Sequence, residues 1–208
     1  MTVLLAGATG MVGSRVLARL LAARVSVVPV GRRATGIAGE VVADFAALPE
    51  LPAAEVAICA LGTTIRAAGS EAAFRAVDHD AVLAFARAAK AAGASRFILV
   101  SSVGADAGSR VFYSRVKGEV EAALGAMGFA RLDIVQPGLI LGPRAERRPA
   151  EAFFQRLMPV LNPLLVCGLA RYGAVSAGDI ARAIVKLSVR VVPGRFVHHN
   201  RAIRALAA

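Results

Sequence analysis

The chain has 208 residues, 57% of them hydrophobic and 19% charged, with a formal net charge of +11. That composition supplies a full core for an α/β domain and excludes a disordered chain. The charge favours anionic ligands, but the arginines are scattered and aromatics make up only 5%. Nucleic acid, which calls for clustered basic residues with aromatics between them, is therefore not expected as a partner.

The N-terminal strand Val3–Ala6 runs directly into Gly7, Gly10 and Gly13, and a helical pattern comes next with Val16, Leu17, Leu20 and Leu21 on one face. Each glycine has a task in a βα turn that cradles phosphate. Gly7 lets the chain leave the strand sharply, Gly10 lets backbone approach a pyrophosphate, and Gly13 lets the helix pack on the sheet. Thr9, Met11 and Val12 complete the cofactor-facing turn. The other reading of these glycines is a tight structural turn without ligand.

Further along, strands fit 2–6, 25–30, 40–43, 55–60, 95–100 and 131–136, and helices fit 11–23, 70–92, 113–127 and 176–190. This alternation predicts a doubly wound parallel sheet with helices on both faces, an NAD(P)-binding Rossmann fold. With no linker or repeat, one domain over 1–208 is expected.

The second strand ends in Pro29-Val30-Gly31-Arg32-Arg33. NAD binders usually place an acidic residue there for the ribose 2′-hydroxyl, whereas two guanidinium groups suit a 2′-phosphate. NADP(H) is therefore favoured over NAD(H); two solvent-facing arginines are the plainer reading. Cys59 reads as a small core residue.

In the helix 70–92, Phe74, Val77, Val82, Phe85 and Ala89 are expected to face inward, and Gly93 ends it. Asp78, His79 and Asp80 read as a polar surface cluster. No cysteine–histidine grouping has zinc spacing, His198 and His199 included, so no metal is expected.

The strand 96–100 ends in Ser101-Ser102, where ligands of such sheets lie. A hydroxyl there can donate to a carbonyl oxygen that gains negative charge. Tyr113 and Lys117 stand four residues apart on one helix face. A lysine ammonium brings a phenol, with a free pKa of about 10, closer to working pH. Ser102, Tyr113 and Lys117 are the expected catalytic set, with Lys117 also holding the nicotinamide ribose.

These features resemble an atypical or extended short-chain dehydrogenase/reductase. Ala60–Thr64, Val100–Asp106, Tyr113–Glu119 and Gln136–Arg144 are similar to the Tat-interacting-protein-like oxidoreductases, a small NAD(P)H-binding branch. The resemblance covers nearly the whole chain and implies a Rossmann fold that binds NADPH. It implies adenine contacts for Asp44 and Phe45, and ribose and phosphate contacts for Leu61, Gly62 and Thr63. Ser101, Pro137 and Gly138 complete the implied cofactor set. The asparagine that many short-chain reductases carry has no assigned counterpart here.

Residues 137–170 break the strand–helix rhythm and follow the sixth strand at its carboxyl end. They are expected to form a substrate-side insertion, with a homodimer contact as the competing use and a membrane-surface contact as the weaker one. Asp179 reads as a first-turn acid on the helix that starts near Ser176. No apolar run is long enough to span a bilayer, and no basic leader precedes the glycine turn, which leads to an expected cytoplasmic location. The expected function is NADPH-dependent reduction of a small carbonyl compound. A cofactor-binding regulatory protein with little turnover and a sugar-nucleotide epimerase or dehydratase are the alternatives.

Overall fold

Strand β1 (Thr2–Ala6) is apolar and buried from Val3 to Ala6, so both its faces need cover. In the computed structural model, which describes residues 1–142 and 173–208, it lies inside a seven-stranded sheet. The strands are β2 (Ser26–Gly31), β3 (Val41–Val42), β4 (Val56–Cys59), β5 (Arg96–Val100), β6 (Arg131–Gln136) and β9 (Gly194–His199), in the order β3-β2-β1-β4-β5-β6-β9. Every pairing is parallel. A pair of short strands, β7 (Leu139–Leu141) and β8 (Ala174–Ser176), forms a second small sheet. This is the expected Rossmann fold. The expected substrate-side insertion, 137–170, lies outside the described residues from 143 onward.

The pleat divides the core in two. Val3, Leu5, Val56, Ile58 and Ile98 face α1 (Gly13–Ala22), α6 (Ala177–Ser188) and α7 (Asn200–Ala207), which contribute Val16, Leu20, Ile180, Ile184 and Ile203. The alternate residues Leu4, Ala6, Ala57, Cys59, Phe97 and Leu99 face the other way. They meet Val82, Phe85 and Ala89 of α4 (Ala81–Ala91) and Val120 and Leu124 of α5 (Phe112–Ala126).

A single turn, α2 (Ile65–Ala68), comes after β4, with Thr64 Oγ1 accepting from the Ala67 amide at its start. The expected helix 70–92 is three pieces: α3 (Glu71–Arg75), a π-helical turn (Ala76–Asp80) and α4. Ser70 caps its start by accepting from the Ala73 amide. A π turn inserts an extra residue and so rotates the α3 side of the helix against the α4 side. Phe74, Val82, Phe85 and Ala89 are buried as expected, but Val77 is only half-buried and Asp78 points inward at 1% exposure. The surface placement of Asp78 is thereby corrected. Its neighbours keep to the rim, where His79 Nδ1 meets Asp80 Oδ1 at 2.7 Å.

Strand β9 and helix α7 carried no sequence expectation. The β9 strand is joined to β6 by a buried cluster: Arg131 grips Asp133 through two nitrogens at 2.6 and 2.8 Å, and His198 Nε2 lies 2.8 Å from the same carboxylate. Helix α6 starts as read, with Ser176 Oγ accepting from the Asp179 amide.

Candidate functional site

The carboxyl ends of the parallel strands open onto a cleft of about 450 Å³. Gly7, Thr9, Gly10, Arg32, Arg33, Phe45, Leu61, Gly62 and Thr63, all read from the sequence as cofactor contacts, line it together. Gly7 has φ +81°, and a Cβ there would stand 2.5 Å from the Ala60 carbonyl oxygen. A Cβ on Gly13 would stand 2.0 Å from the Gly7 carbonyl oxygen, so helix and turn touch through bare backbone. Gly10 differs: a Cβ there would meet the Gly7 oxygen at 3.2 Å and the Ala60 oxygen at 4.0 Å, and Gly10 borders the cleft. Such a cradle fits a pyrophosphate, because no side chain caps the amides at the start of α1.

Arg32 is exposed and lines both this cleft and a second cavity with Asp44, Phe45, Leu61, Val77 and Arg87. Arg33 folds back over the glycine turn and donates to Thr9 Oγ1 at 3.1 Å. Glu40 also lines the cleft, but its carboxylate is occupied by the Thr35 hydroxyl and amide and the Gly36 amide. Those hydrogen bonds, led by the Thr35 hydroxyl, hold it below the usual carboxylate range.

The remaining sequence-read residues lie outside the cleft lining. Met11 faces the position a Gly142 Cβ would take, and Val12 belongs to the core. Asp44 caps a 3₁₀ turn at Phe45–Ala47 by accepting from the Ala46 amide. Pro137 is buried, and the Gly138 amide donates to Asn200 Oδ1 at 3.0 Å.

The two serines separate. Ser101 is buried and its hydroxyl donates to Glu121 of α5, whose carboxylate also receives Gln136 Nε2 at 2.9 and 3.0 Å. Ser102 is half-buried, and its hydroxyl donates to the neighbouring Val103 carbonyl at a long 3.3 Å. The loop after it packs on α5: the Asp106 amide donates to the Ser114 carbonyl at 3.0 Å, and a Cβ on Gly118 would strike the Ala107 nitrogen at 2.1 Å. That contact brings the end of β5 against the helix that carries Tyr113 and Lys117.

Lys117 is buried and its ammonium lies 2.7 Å from Asp78 Oδ1. Burial alone drives a lysine toward losing its proton, but the Asp78 charge, with Tyr113 and Cys59 nearby, outweighs it. Lys117 therefore keeps its proton above the ordinary lysine range. Asp78 Oδ2 accepts from the Thr63 amide at 2.8 Å. A Cβ on Gly62 would lie 3.5 Å from Asp78 Oδ1 and 3.9 Å from Lys117 Nζ, so the cleft-lining segment 61–63 abuts the ion pair. Tyr113 is half-buried, its ring 5.5 Å from that of Phe74.

Sequence reasoning missed Asp78, Glu121 and Asn200. For Asp78 a signal existed: three consecutive polar residues interrupt an alanine-rich helix. No group of three or more potential ligands among the described residues could hold a metal ion, and no described helix is long and apolar enough to cross a membrane.

Comparison with known proteins agrees with this architecture. Residues 3–197 match the model of the NAD dependent epimerase/dehydratase family. "Protein HTATIP2" of Rattus norvegicus is 40% identical, over 97% of this chain and 87% of that protein. "Protein fmp52, mitochondrial" of Emericella nidulans is 36% identical, over 92% of this chain and 89% of that protein. Among solved structures, MoeE5 in complex with UDP-glucose and NAD aligns with a TM-score of 0.73 at 20% identity, over 95% of this chain and 75% of that one. Human epimerase family protein SDR39U1 with NADPH aligns at 0.69 and 20%, over 96% and 74%.

One expectation is overturned. The relatives named fmp52 are named as mitochondrial proteins, so the cytoplasmic location is withdrawn. It rested on seeing neither a spanning run nor a leader, and such absences carry no address.

Proposed function

Because the chain belongs to the NAD dependent epimerase/dehydratase family and is an NAD(P)-binding short-chain dehydrogenase/reductase of the atypical kind, we propose that it is an NADPH-dependent reductase of a small carbonyl compound. The observation that carries this reading is continuity. The glycine cradle, Arg32 and Arg33 line one cleft, and segment 61–63 of that cleft touches the buried Lys117 beside Tyr113. The NADPH of the human SDR39U1 complex supports the nicotinamide assignment, and the two arginines favour the phosphorylated form.

Held in this cleft, NADPH would supply the hydride that reduces the carbonyl carbon. Ser102 donates a hydrogen bond to the carbonyl oxygen as it gains charge. The Tyr113 hydroxyl gives that oxygen its proton, and solvent restores the phenol. Lys117 holds the ribose and orients Tyr113. Arg32 and Arg33 would bind the 2′-phosphate, Asp44 and Phe45 the adenine, and Leu61, Gly62 and Thr63 the ribose and phosphates.

The test pairs a titration with a turnover assay. NADPH fluorescence is followed on binding, which the absence of tryptophan keeps free of energy transfer from that residue. NADPH oxidation is then followed over a panel of small aldehydes and ketones. Binding with turnover is expected; tight binding with none on any carbonyl would replace the reductase by a cofactor-binding regulatory protein.

A further inference from the structure

Asp78 has no exposure to speak of, sits on the π-helical turn and uses both carboxylate oxygens. One meets the Lys117 ammonium at 2.7 Å and the other takes the Thr63 amide at 2.8 Å. A buried carboxylate and a buried ammonium each carry a heavy desolvation cost alone, and removing one strands the other. The groups facing Lys117 are Asp78 from the π turn, Tyr113 one turn back on α5, and Cys59 from β4. Glu121, one turn further on, is engaged by Ser101 and Gln136, with Arg195 4.0 Å away.

We propose that Asp78 is a positioning residue of this site, which holds the Lys117 ammonium charged and fixed and couples it to the cleft-lining segment through the Thr63 amide. This rests on the reading of Lys117 as the group that holds the ribose and orients Tyr113. The coupling has a functional meaning. Anything that moves segment 61–63 on binding pulls on Asp78, and through it on the lysine beside the reacting oxygen. The ammonium also acts as one end of a dipole rather than as a lone charge, so its field is confined to its near neighbours.

The experiment uses the full chain without cofactor. Three lysines, Lys90, Lys117 and Lys186, give three ¹³Cε resonances in a labelled sample, and Lys90→Arg and Lys186→Arg, both at exposed positions, assign the third by elimination. In the unaltered protein Lys117 is expected to stay an ammonium above the ordinary lysine range of about pH 10.4. In Asp78→Asn it should lose its proton at least about one pH unit lower than in the unaltered protein, while the Thr63 amide stays protected from exchange, because an asparagine oxygen still accepts. In Asp78→Ala both the late titration and the protection should go. Lys117 titrating at or below the ordinary lysine range in the unaltered protein would overturn the proposal, whether or not the variants fold. So would an unchanged Lys117 titration in folded Asp78→Asn. Failure of the cofactor reading shows elsewhere, as no NADPH binding by the unaltered protein, which this titration does not consult.

Discussion

Gly13 and Gly7 meet backbone to backbone: a single methyl on Gly13 would stand 2.0 Å from the Gly7 carbonyl oxygen. Three positions along the turn, a methyl on Gly10 would meet the Gly7 oxygen at 3.2 Å and the Ala60 oxygen at 4.0 Å, and Gly10 borders the cleft. The two glycines therefore separate folding from binding. Gly13→Ala should cost about 3 kcal/mol or more, since neither backbone partner can yield cheaply. Gly10→Val should fold and lose NADPH. Thermal melts and NADPH titrations on both variants check this; wild-type affinity in folded Gly10→Val would mean that no pyrophosphate sits at the turn.

Cofactor choice should track Arg32 and Arg33. Replacing both with alanine removes the cationic mouth and the Arg33–Thr9 contact at 3.1 Å. Loss of one charged hydrogen bond is worth about 1.5–3 kcal/mol, or roughly 10- to 150-fold in affinity. NADPH should weaken by that factor while NADH changes little. Equal weakening of the two in parallel titrations would take the 2′-phosphate away from these arginines.

Tyr113→Phe removes a hydroxyl and leaves the ring packed against Phe74 at 5.5 Å. On a substrate found in the carbonyl panel, turnover should fall by roughly 10²–10⁴-fold, with cofactor affinity nearly unchanged. Lys117→Ala should lower both. A phenylalanine variant at full rate would leave Tyr113 as wall rather than acid.

Cys59 lies fully buried in β4, and burial pushes its thiol from 9.0 up to about 12. The unfolded chain releases this proton near pH 9, the folded one only near pH 12. Between those values the folded state binds more protons, so stability falls as pH rises, and below about pH 9 the contribution is fully present. Denaturant midpoints at about pH 8 and about pH 10.5 should therefore diverge less in Cys59→Ala than in the parent. An identical slope in both would show that the loss comes from other groups.

Much of this arrangement was legible in the sequence, for a physical reason. Strands β1, β4 and β5 are apolar along nearly their whole length because both faces are buried, and a glycine triplet after such a strand has few other uses. The Rossmann order and the residues of the cleft stem from that pattern. The polar run marked the spot, but the inward turn of Asp78 was not legible, because 3.6-residue spacing puts Val77 inside and the π turn at Ala76–Asp80 exchanges the two. The edge strand β9 carries its apolar residues intermittently and is half exposed, so its pattern is faint. Glu121 and Asn200 are polar residues whose burial depends on partners 15 to 62 residues distant, and no local pattern marks them.

Asn200 ties the residue before β7 to the residue before β8. Its oxygen takes the Gly138 amide and its nitrogen donates to the Gly173 carbonyl at 2.8 Å, while Leu139 pairs with Ala174 in register. The entry ends of two parallel strands are thus clamped by one side chain from the first residue of α7. Without that side chain the Gly138 amide would lose its acceptor, whereas the Gly173 carbonyl would keep the Leu139 amide at 3.2 Å. The penalty for truncating Asn200 therefore falls on one strand of the pair, and the last helix of the chain acts as the anchor of a sheet formed about 60 residues earlier.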